Sequence, residues 1–294
     1  MSGTKTVVGL GELLWDLLPA GDRLGGAPAN FAVMAARLGN RGVIASRLGA
    51  DMRGERARHL LRTYPVDLNS LQLDAEQPTG TVSVEVFNGE PCYVIHAPAA
   101  WDFLEWTPAW HTLATKTDAV CFGTLAQREP RSREAIRRFL GATRPECVRV
   151  FDVNLRAPFF SARTIGETLP LATVFKLNQD EVPIVIEMLI GNADGIVERT
   201  EAALLRAARS LLARYPLQLV AITMGAEGSL LVTHEASHRH WGVAAQVVDT
   251  VGAGDAFTAA LVDAYLHGAT LAEMNEAGNR WGAWVASMPG AMPT

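Results

Sequence analysis

The 294-residue sequence predicts an α/β fold in which a mostly parallel central sheet carries helices on both faces and a small β lid. Three observations predict it. Short apolar runs alternate with helical patterns from end to end, as expected of strands buried in a parallel sheet. Residues 79–96 break that rhythm, alternating apolar and polar positions around Asn88-Gly89, the signature of a hairpin with a type I′ turn. Two glycine clusters, far apart in the chain, each open a helix.

The elements follow in order. Residues 7–11 read as a first strand, followed by Glu12-Leu13-Leu14-Trp15-Asp16. Leu24-Gly25-Gly26-Ala27-Pro28-Ala29-Asn30-Phe31 starts a helix whose inner face is Phe31, Met34, Ala35 and Leu38 and whose stop is Gly39. A strand over 42–47 and a helix through Ala57, Leu60 and Leu61 come next. The hairpin is then a candidate lid or subunit contact; an edge hairpin of the main sheet is the blander alternative. Residues 119–123, 148–153, 174–177 and 219–223 are short buried strands, and the clearest helical patterns span 131–140 and 201–215. Residues 241–248, rich in valine and alanine, read as β-rich, and Phe257, Leu261, Val262, Tyr265 and Leu266 recur at helical spacing behind them. No repeat or linker divides the chain, so residues 1–294 read as one domain with a lid element at about 79–97.

Composition excludes several classes. Hydrophobic residues make up 49% and charged residues 19%, which suits a packed core rather than a disordered chain. The net charge of −5 without a basic run argues against a nucleic-acid partner, and no apolar run reaches the roughly 18 residues that would span a bilayer. Glu12 and Asp16 interrupt the N-terminal apolar stretch too early for a signal peptide. Cys92, Cys121 and Cys147 are widely spaced with no CxxC pair, so a reduced cytoplasmic compartment is expected.

The chemistry concentrates in Asp249-Thr250-Val251-Gly252-Ala253-Gly254-Asp255. Glycines at a helix start let an anion approach free N–H groups at the positive end of the helix dipole, so a phosphate is the expected guest. Asp255 would repel that phosphate. It is either a dipole-matched first-turn acid or a general base for a hydroxyl attacking phosphorus. Gly25, Gly26 and Asn30 offer close backbone approach and an amide to a hydroxyl-rich ligand, and Asp16 lies just past a strand end where a sugar can be held. Alternation would place Asp152, Asn154 and Arg156 on one side, with Arg156 available to a phosphate or carboxylate. Asn178 and Glu181 are three apart and form either a helix cap or a magnesium site. Thr223-Met224-Gly225-Ala226-Glu227-Gly228-Ser229 either passes nucleotide phosphates or makes a turn. No P-loop, GxGxxG or GxSxG motif is present. His234, His238 and His240 read as a polar loop rather than a metal site, and Trp101, Trp106 and Trp110 as packing residues.

Five segments in this order resemble the PfkB, or ribokinase-like, family of carbohydrate kinases: GGAPAN at 25–30, DVNLR at 152–156, NQDE at 178–181, TMG at 223–225 and DTVGAGD at 249–255. The resemblance implies a three-layer ribokinase-like fold and transfer of the γ-phosphoryl group of ATP to a primary hydroxyl of a small sugar, with magnesium. It assigns Asp255 as base with Gly252, Ala253 and Gly254 as the anion hole. It assigns Asp16, Gly25, Gly26 and Asn30 to the sugar, and Thr223, Gly225, Gly228 and Asn279 to the surroundings of ATP. Asn178 and Glu181 would organise Mg2+ through its waters, and Asp249, with residues 286–290, a monovalent cation such as K+. The form GGAPAN is closer to fructokinases than to ribokinases, which makes D-fructose the first acceptor. A 2-keto-3-deoxygluconate, ribose, nucleoside or sugar-phosphate acceptor is the alternative, and a non-catalytic sensor the more distant one. Asp16 and Gly25 stand so close in sequence that the lid strands usual between them are expected to be missing or very short, leaving the hairpin to close the site alone. Lid-mediated homodimerisation is an open expectation on the same ground.

Overall fold

Burial on one face or both decides which apolar runs of this chain become strands. The computed structural model describes residues 3–19, 21–87, 90–191 and 200–293. The first half comprises β1 (Thr6–Leu10), β2 (Leu14–Leu17), β3 (Arg23–Gly25), α1 (Ala27–Arg37), β4 (Arg41–Ala45), β5 (Arg47–Gly49), α2 (Met52–Leu61), β6 (Gln72–Asp74), β7 (Gly80–Phe87) and β8 (Glu90–Ile95). Then come α3 (Pro108–Ala114), β9 (Ala119–Phe122), α4 (Pro130–Ala142), β10 (Val148–Asp152), α5 (Ala162–Thr168), β11 (Val174–Asn178), α6 (Glu181–Leu189) and α7 (Glu201–Arg214). The chain closes with β12 (Leu219–Thr223), β13 (Ser229–Val232), β14 (Ser237–His240), α8 (Ala253–Leu266) and α9 (Leu271–Ala286).

Among the described residues the main sheet runs β14-β13-β12-β11-β10-β9-β1-β4. It is parallel from β12 to β4, and β13 and β14 turn back antiparallel at one edge. Alternate strand residues face opposite layers. Val8, Phe122, Phe151, Phe175 and Ile222 pack against α3 to α7, while Val7, Cys121, Val150, Val174 and Ala221 pack against α1, α8 and α9. The parallel strands therefore read as unbroken apolar runs, buried on both faces. Trp101 and Trp110 are wholly buried packing residues, as expected, and Trp106 packs edge-on against Phe139. No helix among the described residues is long and apolar enough to cross a membrane.

The second sheet has the order β3-β2-β7-β8. The hairpin is thus not an edge of the main sheet. Nor does it stand alone: β2 pairs parallel with β7 and antiparallel with β3, so of the expected alternatives, strands missing or very short, the second holds, and the expectation that the hairpin closes the site alone is corrected. The two strands are present at four and three residues, held because Leu13, Trp15 and Leu24 bury themselves against α1 and α2. The Asn88-Gly89 turn lies outside the described residues.

A second correction concerns residues 241–248. They form no strand: β14 ends at His240, and Trp241, Val247 and Val248 are 76%, 59% and 60% exposed. Apolar side chains without a neighbouring ladder do not make a strand. The third concerns residues 152–156. β10 stops at Asp152, and Asn154 turns left-handed at φ 37°, so strand alternation does not set the directions of Asn154 and Arg156.

Candidate active site

β1 has β4 on one side and β9 on the other, so chain order reverses at its carboxyl end, where open α/β sheets bind ligands. Both glycine clusters converge there. The cap residue Gly252 is left-handed at φ 80°, and a Cβ on it would lie 2.6 Å from Ala291, so the entry into α8 requires glycine. The Ala253 N–H turns back to the Thr250 carbonyl at 3.2 Å. In the first turn, the Gly254 and Asp255 N–H groups have no carbonyl four residues back to meet. At the other cluster, a Cβ on Gly26 would come within 2.5 Å of the Glu12 carbonyl. The start of α1 is thereby pressed against the end of β1.

Asn30 joins the two. Its Nδ2 donates to Asp255 Oδ2 at 2.7 Å across 225 positions of sequence. Asp255 as a residue is only part-buried, yet its carboxyl lies among protein groups, and loss of solvation raises its pKa to about 6. Asp152 adds to that rise, while Asn30, Lys176 and Arg156 oppose it.

Below the first turn of α8 lies a buried ion pair in which Asp152 meets Lys176, a residue with no role in the sequence reading. Lys176 Nζ stands 3.1 Å from both carboxylate oxygens of Asp152, and a Cβ on Gly254 would be 3.2 Å from that ammonium. Burial alone would depress the Lys176 pKa; Asp152, Glu181 and Asp255 together outweigh burial and raise it. Thr258 Oγ1 donates to the Gly254 carbonyl at 2.8 Å and lies 3.4 Å from Asp152. The chain thus keeps a paired ammonium and carboxylate directly under the helix start.

Glu12 is the second residue missed. It is 3% exposed, its Oε2 has no hydrogen-bond partner, and burial pushes its pKa to about 7, with Asp255 adding to the rise and Arg156 opposing it. Its signal is faint: one acid inside an apolar run, which in the sequence speaks only against a signal peptide. Asn30 Oδ1 is likewise buried without a partner. Asp16, on β2, is half-buried, with its pKa raised by burial against the pull of Arg156, and a Cβ on Gly25 would touch its Oδ2 at 3.0 Å. Arg156 is exposed, and its field reaches Glu12, Asp16 and Asp255 alike.

The remaining predicted residues sit at the carboxyl ends of β11 and β12 or on α9. Asn178 Oδ1 accepts the Asp180 and Glu181 N–H groups at 2.9 and 3.0 Å, so the capping alternative is realised. Glu181 accepts the N–H groups of Leu155 and Asn178, both at 2.8 Å, which brings the DVNLR and NQDE segments into one unit. Thr223 is the cross-strand partner of Asn178. Gly225 and Gly228 bound a tight turn, and Asn279 Nδ2 is engaged by Ser229 and Asn275. Asp249 carries the Arg23 guanidinium on Oδ2 at 2.5 Å. Among the described residues no cluster of His, Cys, Asp and Glu is arranged to hold a metal by itself, and His240 pairs with Glu276 while His238 meets Asn275. A cavity of about 490 Å³ lined by Arg58, Arg62 and Tyr64 shares no residue with this cluster.

Comparison with known proteins places the chain among carbohydrate kinases. The model of the pfkB family carbohydrate kinases matches residues 21–294, beginning just after Glu12 and Asp16. A fructokinase of Klebsiella pneumoniae is 33% identical over 270 residues, covering 86% of this chain and 82% of its own. The structure of fructokinase from Vibrio cholerae O395 with fructose, ADP and calcium ion bound matches with a TM-score of 0.80 at 25% identity, over 98% of this chain and 94% of that one. Aminoimidazole riboside kinase from Salmonella enterica, complexed with aminoimidazole riboside and an ATP analogue, matches with a TM-score of 0.78 at 25% identity, over 98% and 95%. With a ribokinase-like fold and two glycine-opened helices joined through Asn30 and Asp255, the chain belongs to the pfkB family of carbohydrate kinases.

Proposed function

We propose that this kinase transfers the γ-phosphoryl group of ATP to a primary hydroxyl of a small sugar, with D-fructose as the first acceptor and fructose 6-phosphate as product. The observation that carries it is the Asn30–Asp255 hydrogen bond, which sets a carboxyl of raised pKa between a polyol-suited helix start and a phosphate-suited one. Asp16, Gly25, Gly26, Asn30 and Arg156 hold the sugar. Asp255 takes the hydroxyl proton as the oxygen attacks phosphorus, and the bond to ADP breaks. Gly252, Ala253 and Gly254 bring the helix start against the transferring group, and the N–H groups of Gly254 and Asp255 meet its oxygens. Lys176 adds charge from beneath. Thr223, Gly225, Gly228 and Asn279 surround the nucleotide.

Asn178 and Glu181 fit a hydrated magnesium ion held through water. The Glu181 carboxylate accepts two N–H groups and keeps lone pairs beyond them. When bound, such an ion neutralises phosphate charge. At Asp249 one carboxylate oxygen already faces a guanidinium, and a monovalent cation finds a poor fit there.

A second reading, a riboside acceptor, is favoured by the likeness to aminoimidazole riboside kinase. A coupled ADP-release assay over fructose, ribose, 2-keto-3-deoxygluconate, nucleosides and fructose phosphates separates the two. Fructose turnover is expected; fructose inert beside another active acceptor overturns the choice of sugar. Sugar binding without ADP release from any acceptor would favour a sensor.

A further inference from the structure

We propose that Arg23 performs, from within the chain, the task a bound monovalent cation would have at Asp249, and in doing so ties the small sheet to the loop that leads into α8. The inference rests on the phosphotransfer reading above. Asp249 is the hub of that loop. Its Oδ1 accepts the Val251 N–H at 3.0 Å, and its Oδ2 accepts the Gly290 N–H at 3.1 Å and Arg23 Nη1 at 2.5 Å. The N–H groups of Val248 and Asp249 both reach the Ala286 carbonyl, at 2.8 and 3.2 Å. The carboxylate therefore carries three donors, one of them a full positive charge that would repel a second cation placed beside it.

The position of Arg23 gives the contact its meaning. On β3 it stands directly across from Asp16 of β2 and two residues before Gly25, so one short strand serves both the sugar-facing sheet and the phosphate loop. The two partners lie 226 positions apart, and Gly252 and Asp255 follow Asp249 by three and six residues. The Arg23 side chain is 44% exposed and that of Asp249 18%, so the pair itself adds little to overall stability. Its effect is on where the loop sits. Arg23 is a positioning residue: it touches neither the proton nor the phosphoryl group.

The test uses the full chain, as wild type, Arg23→Ala and Arg23→Lys. Phosphotransfer to the best acceptor is measured in tetramethylammonium buffer while KCl is raised to about 100 mM at constant ionic strength. Thermal melting is followed over the same series. Wild type should change less than about twofold in rate, whereas Arg23→Ala should lose roughly tenfold without potassium and recover part of it with potassium. Its melting temperature should rise specifically with potassium, and that of wild type should not. Arg23→Lys should keep wild-type behaviour because it restores a charge at the same carboxylate. Potassium activation of wild type by about tenfold or more overturns the proposal, as does an Arg23→Ala enzyme indifferent to both substitution and salt. If no acceptor is phosphorylated, the phosphotransfer reading fails by itself, and the melting series still decides the role of Arg23.

Discussion

The start of α8 and the four-stranded second sheet both contribute to the proposed site, and they are built on opposite terms. Around α8 the polar groups answer one another inside the protein: Asn30 to Asp255, Lys176 to Asp152, Thr258 to the Gly254 carbonyl. In the second sheet Asp16 is half-buried, Arg156 nearby is exposed, and the strands β2 and β3 have four and three residues. The difference teaches where this chain can vary. In the proposed mechanism the proton and the phosphoryl group meet an internally paired network, while the sugar meets short strands that bury Trp15 and Leu24 and leave Asp16 half-buried.

The comparison breaks first at Asp255. Asp255→Asn should leave sugar and nucleotide binding largely intact and lower kcat by roughly 10² to 10⁴. With a carboxyl pKa of about 6, the wild-type rate should fall as pH drops below that value, where the base is protonated. Near-normal turnover in steady-state kinetics would move the chemistry elsewhere.

Lys176→Met should come next. It leaves Asp152 charged and unpaired beneath α8, at a cost of about 3–5 kcal/mol, read by urea or thermal unfolding. The paired replacement Lys176→Met with Asp152→Leu should recover much of that loss; if it does not, the network acts through more than the pair.

Glu12 lies where the two regions meet. Its carboxyl titrates near 7 in the folded chain against 4.5 unfolded, so the folded form binds the extra proton between those values. Stability should therefore be highest on the acid side and fall as pH rises from about 4.5 to 7, by roughly 3 kcal/mol, and Glu12→Gln should flatten that slope. Unfolding curves across this window, with an unchanged slope in the variant, would assign the pH dependence elsewhere.

The smallest effect belongs to the second sheet. Asp16→Ala should raise KM for the sugar by about 10- to 100-fold while KM for the nucleotide stays within twofold, the pattern of lost binding rather than lost chemistry. A matching fall in kcat would erase the contrast between the two regions.

The parallel strands were legible because burial on both faces leaves no polar alternative, and β9, β10, β11 and β12 fall within a residue or two of their apolar runs. The helices α1 and α8 were legible through their glycines. β2 and β3 were not: three or four residues carry no period, and what holds them is Leu13, Trp15 and Leu24 packing on helices later in the chain. Residues 241–248 misled for the converse reason, having strand-like composition but no ladder to join. Asp255, Asn30, Asp16 and Glu181 were visible as polar residues at element ends. Lys176 and Glu12 were hidden because each is a single charge within an apolar run, and only the third dimension shows that both converge on the same helix start.

The pairing of β1 and β2 also bears on synthesis. Residues 6–10 need β9, which ends at Phe122, and residues 14–17 need β7, which ends at Phe87. Each of these early strands thus waits for a partner made many residues later, and until it emerges one strand edge stays unpaired and the apolar side chains of Leu13, Leu14 and Trp15 lack part of their cover. A nascent chain halted before residue 122 should hold this segment open to chaperones, and one released after it should not.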